Sequence, residues 1–278
     1  MRKYVKACAL FCALFVILAT VSVAFAAGDG SLKRVKDAGK LTIGAEGNWV
    51  PFVYNDVKTN ELTGFEVAIA KEIAKRLGVK AEFNIANKWD GVLAGLDAKR
   101  YDTVICGCNP NPDRLVKYNM SVAYAETPVC LVVAKDNKDI KNFADLKGKL
   151  CGNALTSSSG AIARKNGAEL RDCSLTQAMD LLATKRIDGT INTTAAIEDY
   201  LKQKPNTPVK IVAIYKPEKS YEIESSAMLR KEDVDLSAAF DKTIKAMIAD
   251  GTCYKLAQQF FGKQTADSIS LYPQAKKK

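Results

Sequence analysis

Apolar residues recur along this chain with two periods, and the two periods take turns. Leu41-Thr42-Ile43-Gly44 is a short apolar run that reads as a strand. Ile69, Ile73 and Leu77 then follow at four-residue steps, with Lys71, Glu72, Lys75 and Arg76 between them and Gly78 behind. That spacing predicts an amphipathic helix over 65–77, closed by a glycine that can turn the backbone left-handed. Residues 79–85 alternate as a strand, residues 89–96 read as a second short helix, and Thr103-Val104-Ile105 as a buried strand. The last of these leads into residues 109–114, where Pro110 and Pro112 predict a rigid loop presenting Arg114.

The pattern restarts further on. Val129-Cys130-Leu131-Val132-Val133 is apolar, 135–141 is polar, and a new strand–helix alternation begins at Leu150-Cys151-Gly152-Asn153. Ser174 with Gln177 three residues later is a capping box opening a helix that carries Met179, Leu181 and Leu182. Gly189-Thr190-Ile191-Asn192 predicts a strand, 194–201 a helix and 211–214 a strand; final helices over 236–250 and 254–261 stop at Gly251 and Gly262. Alternation with short connections predicts α/β architecture, with sheets that are mixed but mostly parallel and flanked by helices. Two such runs, joined near 126–129 and again near 220–226, predict two lobes and two hinge crossings. The first lobe is expected from 27–127 and 225–278, the second from 128–224. Open α/β sheets bind ligands beyond the carboxyl ends of their strands, so the expected site is the cleft between the lobes.

Three compositional features narrow the possibilities. Arg2, Lys3 and Lys6 precede an almost wholly apolar stretch over 7–23, and Ala24-Phe25-Ala26 has a small-x-small cleavage pattern. Residues 1–26 therefore read as a secretory signal peptide rather than a retained anchor, with a periplasmic mature chain starting near Ala27. Cys8 and Cys12 lack the small-residue context of a lipid-attachment site. Cleavage lowers the net charge from +10 to about +7, with no arginine-rich arm, so nucleic acid is not an expected partner.

Six cysteines remain, Cys106, Cys108, Cys130, Cys151, Cys173 and Cys253, which in an exported chain permit disulfides or buried thiols. Fifteen complete pairings are open; Cys151 with Cys173 is favoured because both sit near strands expected to be neighbours. Cys106-Gly107-Cys108 is not a zinc spacing, so no metal and no cofactor are expected. The absence of histidine excludes His-dependent nucleophilic triads and His-ligated metals, which lowers the expectation of catalysis.

The stretch 64–114, with Leu146-Lys147-Gly148-Lys149, Arg186-Ile187-Asp188, Asp250-Gly251-Thr252 and Phe261-Gly262, resembles the extracellular solute-binding proteins of family 3 in order and spacing. These are periplasmic polar amino acid-binding components of ABC transporters. The resemblance spans 41–262. It implies the two-lobe type II periplasmic-binding-protein fold and capture of an amino acid or similar carboxylate by hinge closure. It also implies delivery to an inner-membrane ABC permease by a protein expected to be a monomer.

Residue by residue, the resemblance implies a site. Arg114 matches the arginine that grips the ligand carboxylate, a task suited to a planar donor fork. Asn109 and Asn111 stand where the family's Thr-x-Thr-x-x-Arg pattern has threonines. Ser157 and Ser158, in Thr156-Ser157-Ser158-Ser159-Gly160, open a helix whose N–H groups and hydroxyls make an anion site; Ser158 matches the usual carboxylate contact. Trp49, Phe52 and Trp89 fall where the family walls the ligand, and Glu46 where it reads the ligand side chain. Gly107 and Asn109 offer further polar contacts. Where the family carries an aspartate for the ligand ammonium, this chain has Thr193. Three compensations are open: a counter-charge from Glu46, Glu222 or Glu224, neutral acceptors alone, or a ligand without an amine.

Two other readings stand beside transport. A cyclohexadienyl dehydratase-like enzyme would need a general acid in the cleft, with Glu46 or Glu222 as candidates. A ligand sensor would need a separate membrane receptor, since no transmembrane segment follows Gly262.

Overall fold

The computed structural model describes residues 28–276, so the expected signal peptide lies outside the described residues. In chain order the first elements are α1 (Ser31–Asp37), β1 (Lys40–Glu46), β2 (Asn48–Trp49), β3 (Val53–Asn55), β4 (Leu62–Thr63), α2 (Phe65–Leu77) and β5 (Lys80–Ala86). Then come α3 (Trp89–Asp97), β6 (Thr103–Cys108), α4 (Pro112–Lys117), β7 (Tyr118–Met120) and β8 (Ala125–Glu126). The chain continues through β9 (Val129–Ala134), β10 (Leu150–Gly152), α5 (Ser158–Lys165), β11 (Glu169–Arg171), α6 (Leu175–Ala183), β12 (Thr190–Thr193), α7 (Thr194–Gln203) and β13 (Val209–Ile214). It returns with β14 (Glu224–Arg230), α8 (Val234–Ala249), α9 (Thr252–Phe261) and α10 (Lys263–Ser268).

One sheet runs β5-β1-β6-β14-β7, with β8 continuing along β14. Within it β1 is parallel to β5 and β6, as helical crossovers require, whereas β14 is antiparallel to β6, β7 and β8. Another sheet is β12-β9-β13, antiparallel throughout; β10 and β11 pair in parallel, and a bridge from Cys151 to Gly189 ties them towards β12. The sheets are mixed as expected, but parallel pairing is confined to β5-β1-β6 and β10-β11: the small sheet β2-β3-β4 is antiparallel, and so is every pair made by β9 and β14. These two strands enter their sheets directly from a crossing and run against their neighbours. The crossings themselves lie side by side. Glu126 faces Glu224, Ala125 faces Ser225, and the Thr127 amide donates to the Ile223 carbonyl at 2.7 Å.

The helices follow their sequence signals. In α2, Ile69 and Ile73 are fully buried, and Gly78 caps the helix at φ 77°. The Ser174–Gln177 capping box opens α6 in both directions. Strand β9 is buried on both faces. Val129, Leu131 and Val133 pack with Leu146, Ile162 and Ile191, while Cys130 and Val132 pack with Met179, Leu182 and Ile197.

Two expectations change. The segment before Arg114 is not a loop throughout: Asn111 caps α4, its Oδ1 accepting the Arg114 amide at 2.9 Å, with Pro112 at the first helical position. Proline's missing N–H matters least there. The favoured disulfide is also absent, because all six described cysteines are free and buried. Cys151 lies opposite Leu170 in the β10–β11 pair, but the Cys173 sulfur sits 2.8 Å from where a Cβ on Gly152 would stand. Successive strand residues point to opposite faces, so Cys151 and Cys173 pack into different clusters on the two sides of the sheet.

Candidate functional site

A cavity of about 110 Å³ lies between the sheets, lined from one side by Glu46, Trp49, Trp89, Gly107, Asn109 and Arg114. From the other side come Asn153, Ser157, Ser158, Asn192 and Thr193, among others. Strand ends and helix starts bring these residues together: β1 ends at Glu46, β6 carries Gly107, and α5 begins at Ser158.

Arg114 is 5% exposed. Its Nη1 donates to the Asn109 carbonyl and to Ser158 Oγ, both at 2.9 Å, and Nη2 to the Thr156 carbonyl at 3.2 Å. The guanidinium also lies 5.2 Å from the centre of the Trp89 ring, within cation–π range. No carboxylate lies within ion-pair distance among the described residues; burial lowers the pKa, though guanidinium remains charged. A buried cation held only by neutral acceptors is poised for an anion.

Opposite it in character is Glu46, the only acidic residue lining the cavity, as Arg114 is the only basic one among the described lining residues. Burial first, and the charge of Asp90 second, push its carboxyl up to about 7 against a bond from the Trp89 amide. Glu222 and Glu224, the other candidate counter-charges, lie outside the lining. Glu222 instead accepts from Tyr215 at 2.8 Å and from the Glu218 amide at 3.1 Å, while the Glu224 carbonyl takes the Asn109 side-chain amide at 2.9 Å.

Ser157 caps α5, its Oγ accepting the Gly160 amide at 3.0 Å and donating to the Ala154 carbonyl at 2.8 Å. The N-terminus of α5, positive by its dipole, therefore faces the same cavity as Arg114. Trp49 and Trp89 both line the cavity; Phe52 does not. Phe52 is fully buried behind Trp49, with ring centres 4.0 Å apart and planes at 17°, because a tight turn from the Trp49 carbonyl to the Phe52 amide folds it underneath. It supports the wall rather than forming it. Gly107 has φ 60°, and a Cβ there would stand 2.3 Å from the Trp49 ring, so both backbone and neighbour demand glycine.

Sequence reading missed several participants. Asn192 takes the Trp49 indole N–H at 3.3 Å on its Oδ1, which also accepts the Thr193 amide at 2.8 Å. Its neighbour Thr193 lines the cavity without a carboxylate. Cys106 and Cys173 line it as buried thiols whose pKa burial raises. Behind the lining, Glu66 in the 64–114 stretch is a buried acid with no local sequence signal. It is fully buried, takes the Tyr124 hydroxyl, and burial pushes it up to about 7.

Residues 41–263 match the family described as Bacterial extracellular solute-binding proteins, family 3. The L-cystine-binding protein TcyA of Bacillus subtilis (strain 168) is 36% identical over 243 residues, 86% of this chain and 88% of that protein. An ancestral arginine-binding protein bound to arginine has a TM-score of 0.71 at 32% identity, over 81% of this chain and 99% of that one. The L-cystine solute receptor of Neisseria gonorrhoeae, in an unliganded open conformation, is 36% identical over 85% and 98% of the two chains, with a TM-score of 0.55. A lower score at higher identity fits lobes that are drawn together here by Arg114–Ser158 and Trp49–Asn192. The chain belongs to the bacterial extracellular solute-binding proteins, family 3.

Proposed function

We propose that the cleft closes on an amino acid whose α-carboxylate takes the place opposite Arg114, Ser158 and the N-terminus of α5, while Glu46 faces its cationic or donating end. The carrying observation is the buried Arg114, which has a cavity before it and no carboxylate partner among the described residues. Opposite charges confined to one small cavity suit a zwitterion better than a simple anion. Trp49 and Trp89 supply the walls, and Gly107, Asn109 and Thr193 neutral polar contacts; with Glu222 and Glu224 outside the lining, Glu46 carries the counter-charge. The protein works in the periplasm as a monomer, binds without catalysis, and hands its ligand to an ABC permease.

The test is calorimetric titration of protein unfolded, stripped of carried ligand and refolded. L-cystine, L-arginine and L-glutamine are each paired with a deaminated counterpart. Binding of the amino acids alone supports the reading; equal or tighter binding of the deaminated acids overturns the role of Glu46. Incubation with prephenate and arogenate checks the catalytic alternative, and the expected result is no product.

A further inference from the structure

Thr156 stands outside the cavity lining, yet three groups from across the cleft converge on it. Its carbonyl accepts from Arg114 Nη2 at 3.2 Å and from the Trp89 indole N–H at 3.3 Å. Its hydroxyl donates to Oδ1 of Asp90, in the first turn of α3. A carbonyl oxygen has two lone pairs, and both are engaged by donors of the opposite lobe. Asp90 is likewise absent from the lining, so the hydroxyl bond joins two groups that stand outside the ligand cavity.

We propose that Thr156 and Asp90 form a clasp for the closed cleft, a pair of positioning residues that touch no ligand and set how long a bound one stays. The proposal extends the reading of this cleft as an amino acid site. Release requires the lobes to part, and parting breaks the clasp, whereas a ligand enters through the open form that dominates the free protein, in which the clasp is already broken; without ligand the clasp holds only a minor closed fraction. The effect therefore falls on the dissociation rate and spares association. The Thr156–Asp90 bond lies at an exposed rim where water competes, while the two carbonyl contacts are partly buried. The hydroxyl's share is accordingly that of an ordinary hydrogen bond.

The chain reports its own closure. Its two tryptophans, Trp49 and Trp89, both lie in the cleft and both donate across it. The experiment compares wild type with Thr156→Val, which removes the hydroxyl and keeps the carbonyl, Thr156→Ser, Asp90→Ala, and the Val–Ala double variant. Stopped-flow tryptophan fluorescence follows association and dissociation of L-cystine and L-arginine, and acrylamide quenching is read without ligand. Thr156→Val is expected to raise the dissociation rate two- to tenfold, about the effect of one net hydrogen bond, with association unchanged. Thr156→Ser should behave as wild type, and the double variant should release no faster than the faster single. Unchanged dissociation in Thr156→Val, Ser behaving like Val, or additive singles would overturn the clasp. If neither amino acid binds wild type, the ligand reading falls and quenching decides alone. Greater quenching in Thr156→Val than in wild type then supports the clasp, and equal quenching overturns it.

Discussion

At Arg114, burial and charge pull in opposite directions. Desolvation disfavours the guanidinium, and Asn109, Ser158 and Thr156 compensate with neutral oxygens placed around its planar fork. A lysine would keep the charge but lose the fork, so Arg114→Lys and Arg114→Ala should each weaken binding at least about tenfold by calorimetry, with unchanged far-ultraviolet circular dichroism. Glu46 adds a dependence on pH. Its carboxyl, ordinarily near 4.5, is held up at about 7, so its attraction for a cationic ligand group is present above pH 7 and lost as pH falls through it. Affinity is expected to drop about tenfold between pH 8 and pH 6, and Glu46→Gln should flatten that profile.

Single elements carry these residues to their places. Strand β6 delivers Gly107 in a left-handed conformation against Trp49, so Gly107→Ala strains the backbone and pushes the indole from the cavity wall. Its expected cost in stability is about 1 kcal/mol by urea titration, with a larger loss of ligand affinity. Helix α4 is short, and its Asn111 cap holds the amide of Arg114 itself, so the element's end and the proposed carboxylate-binding residue are one construction. In the second lobe, β10 and β9 direct their cysteines to separate faces. Thiol titration of residues 27–278 in denaturant without reductant should accordingly count six free thiols; fewer would reveal a bridge.

Across the whole molecule, the site exists only where two lobes meet. A ligand that contacts both stabilises the folded, closed form by mass action, about 2.7 kcal/mol at a hundredfold excess over Kd. For a chain of this size that corresponds to a rise in Tm of roughly 5–10 °C in differential scanning fluorimetry. A deaminated acid that cannot engage Glu46 should give less. Much of this architecture was legible in the sequence. Strand and helix order, the glycine stops after α2, α8 and α9, the capping box of α6, and Arg114 after a buried strand all follow from local periodicity and turn chemistry. The family entered separately, by the resemblance of the motifs over 64–114 and after it, and residues 41–263 match it. What only the tertiary structure decided concerns groups far apart in the chain. Phe52 and Trp49 are three residues apart, yet a turn puts one in the core and the other on the cavity. Cys151 and Cys173 approach neighbouring strands but point to opposite faces, and of three candidate glutamates only Glu46 faces Arg114's cavity. Thr156 carries no local signal, because its partners come from Trp89, Asp90 and Arg114 across a cleft. Periodicity is a property of neighbours along the chain; which distant side chains share a cavity is set by how the packed sheets bring their ends together.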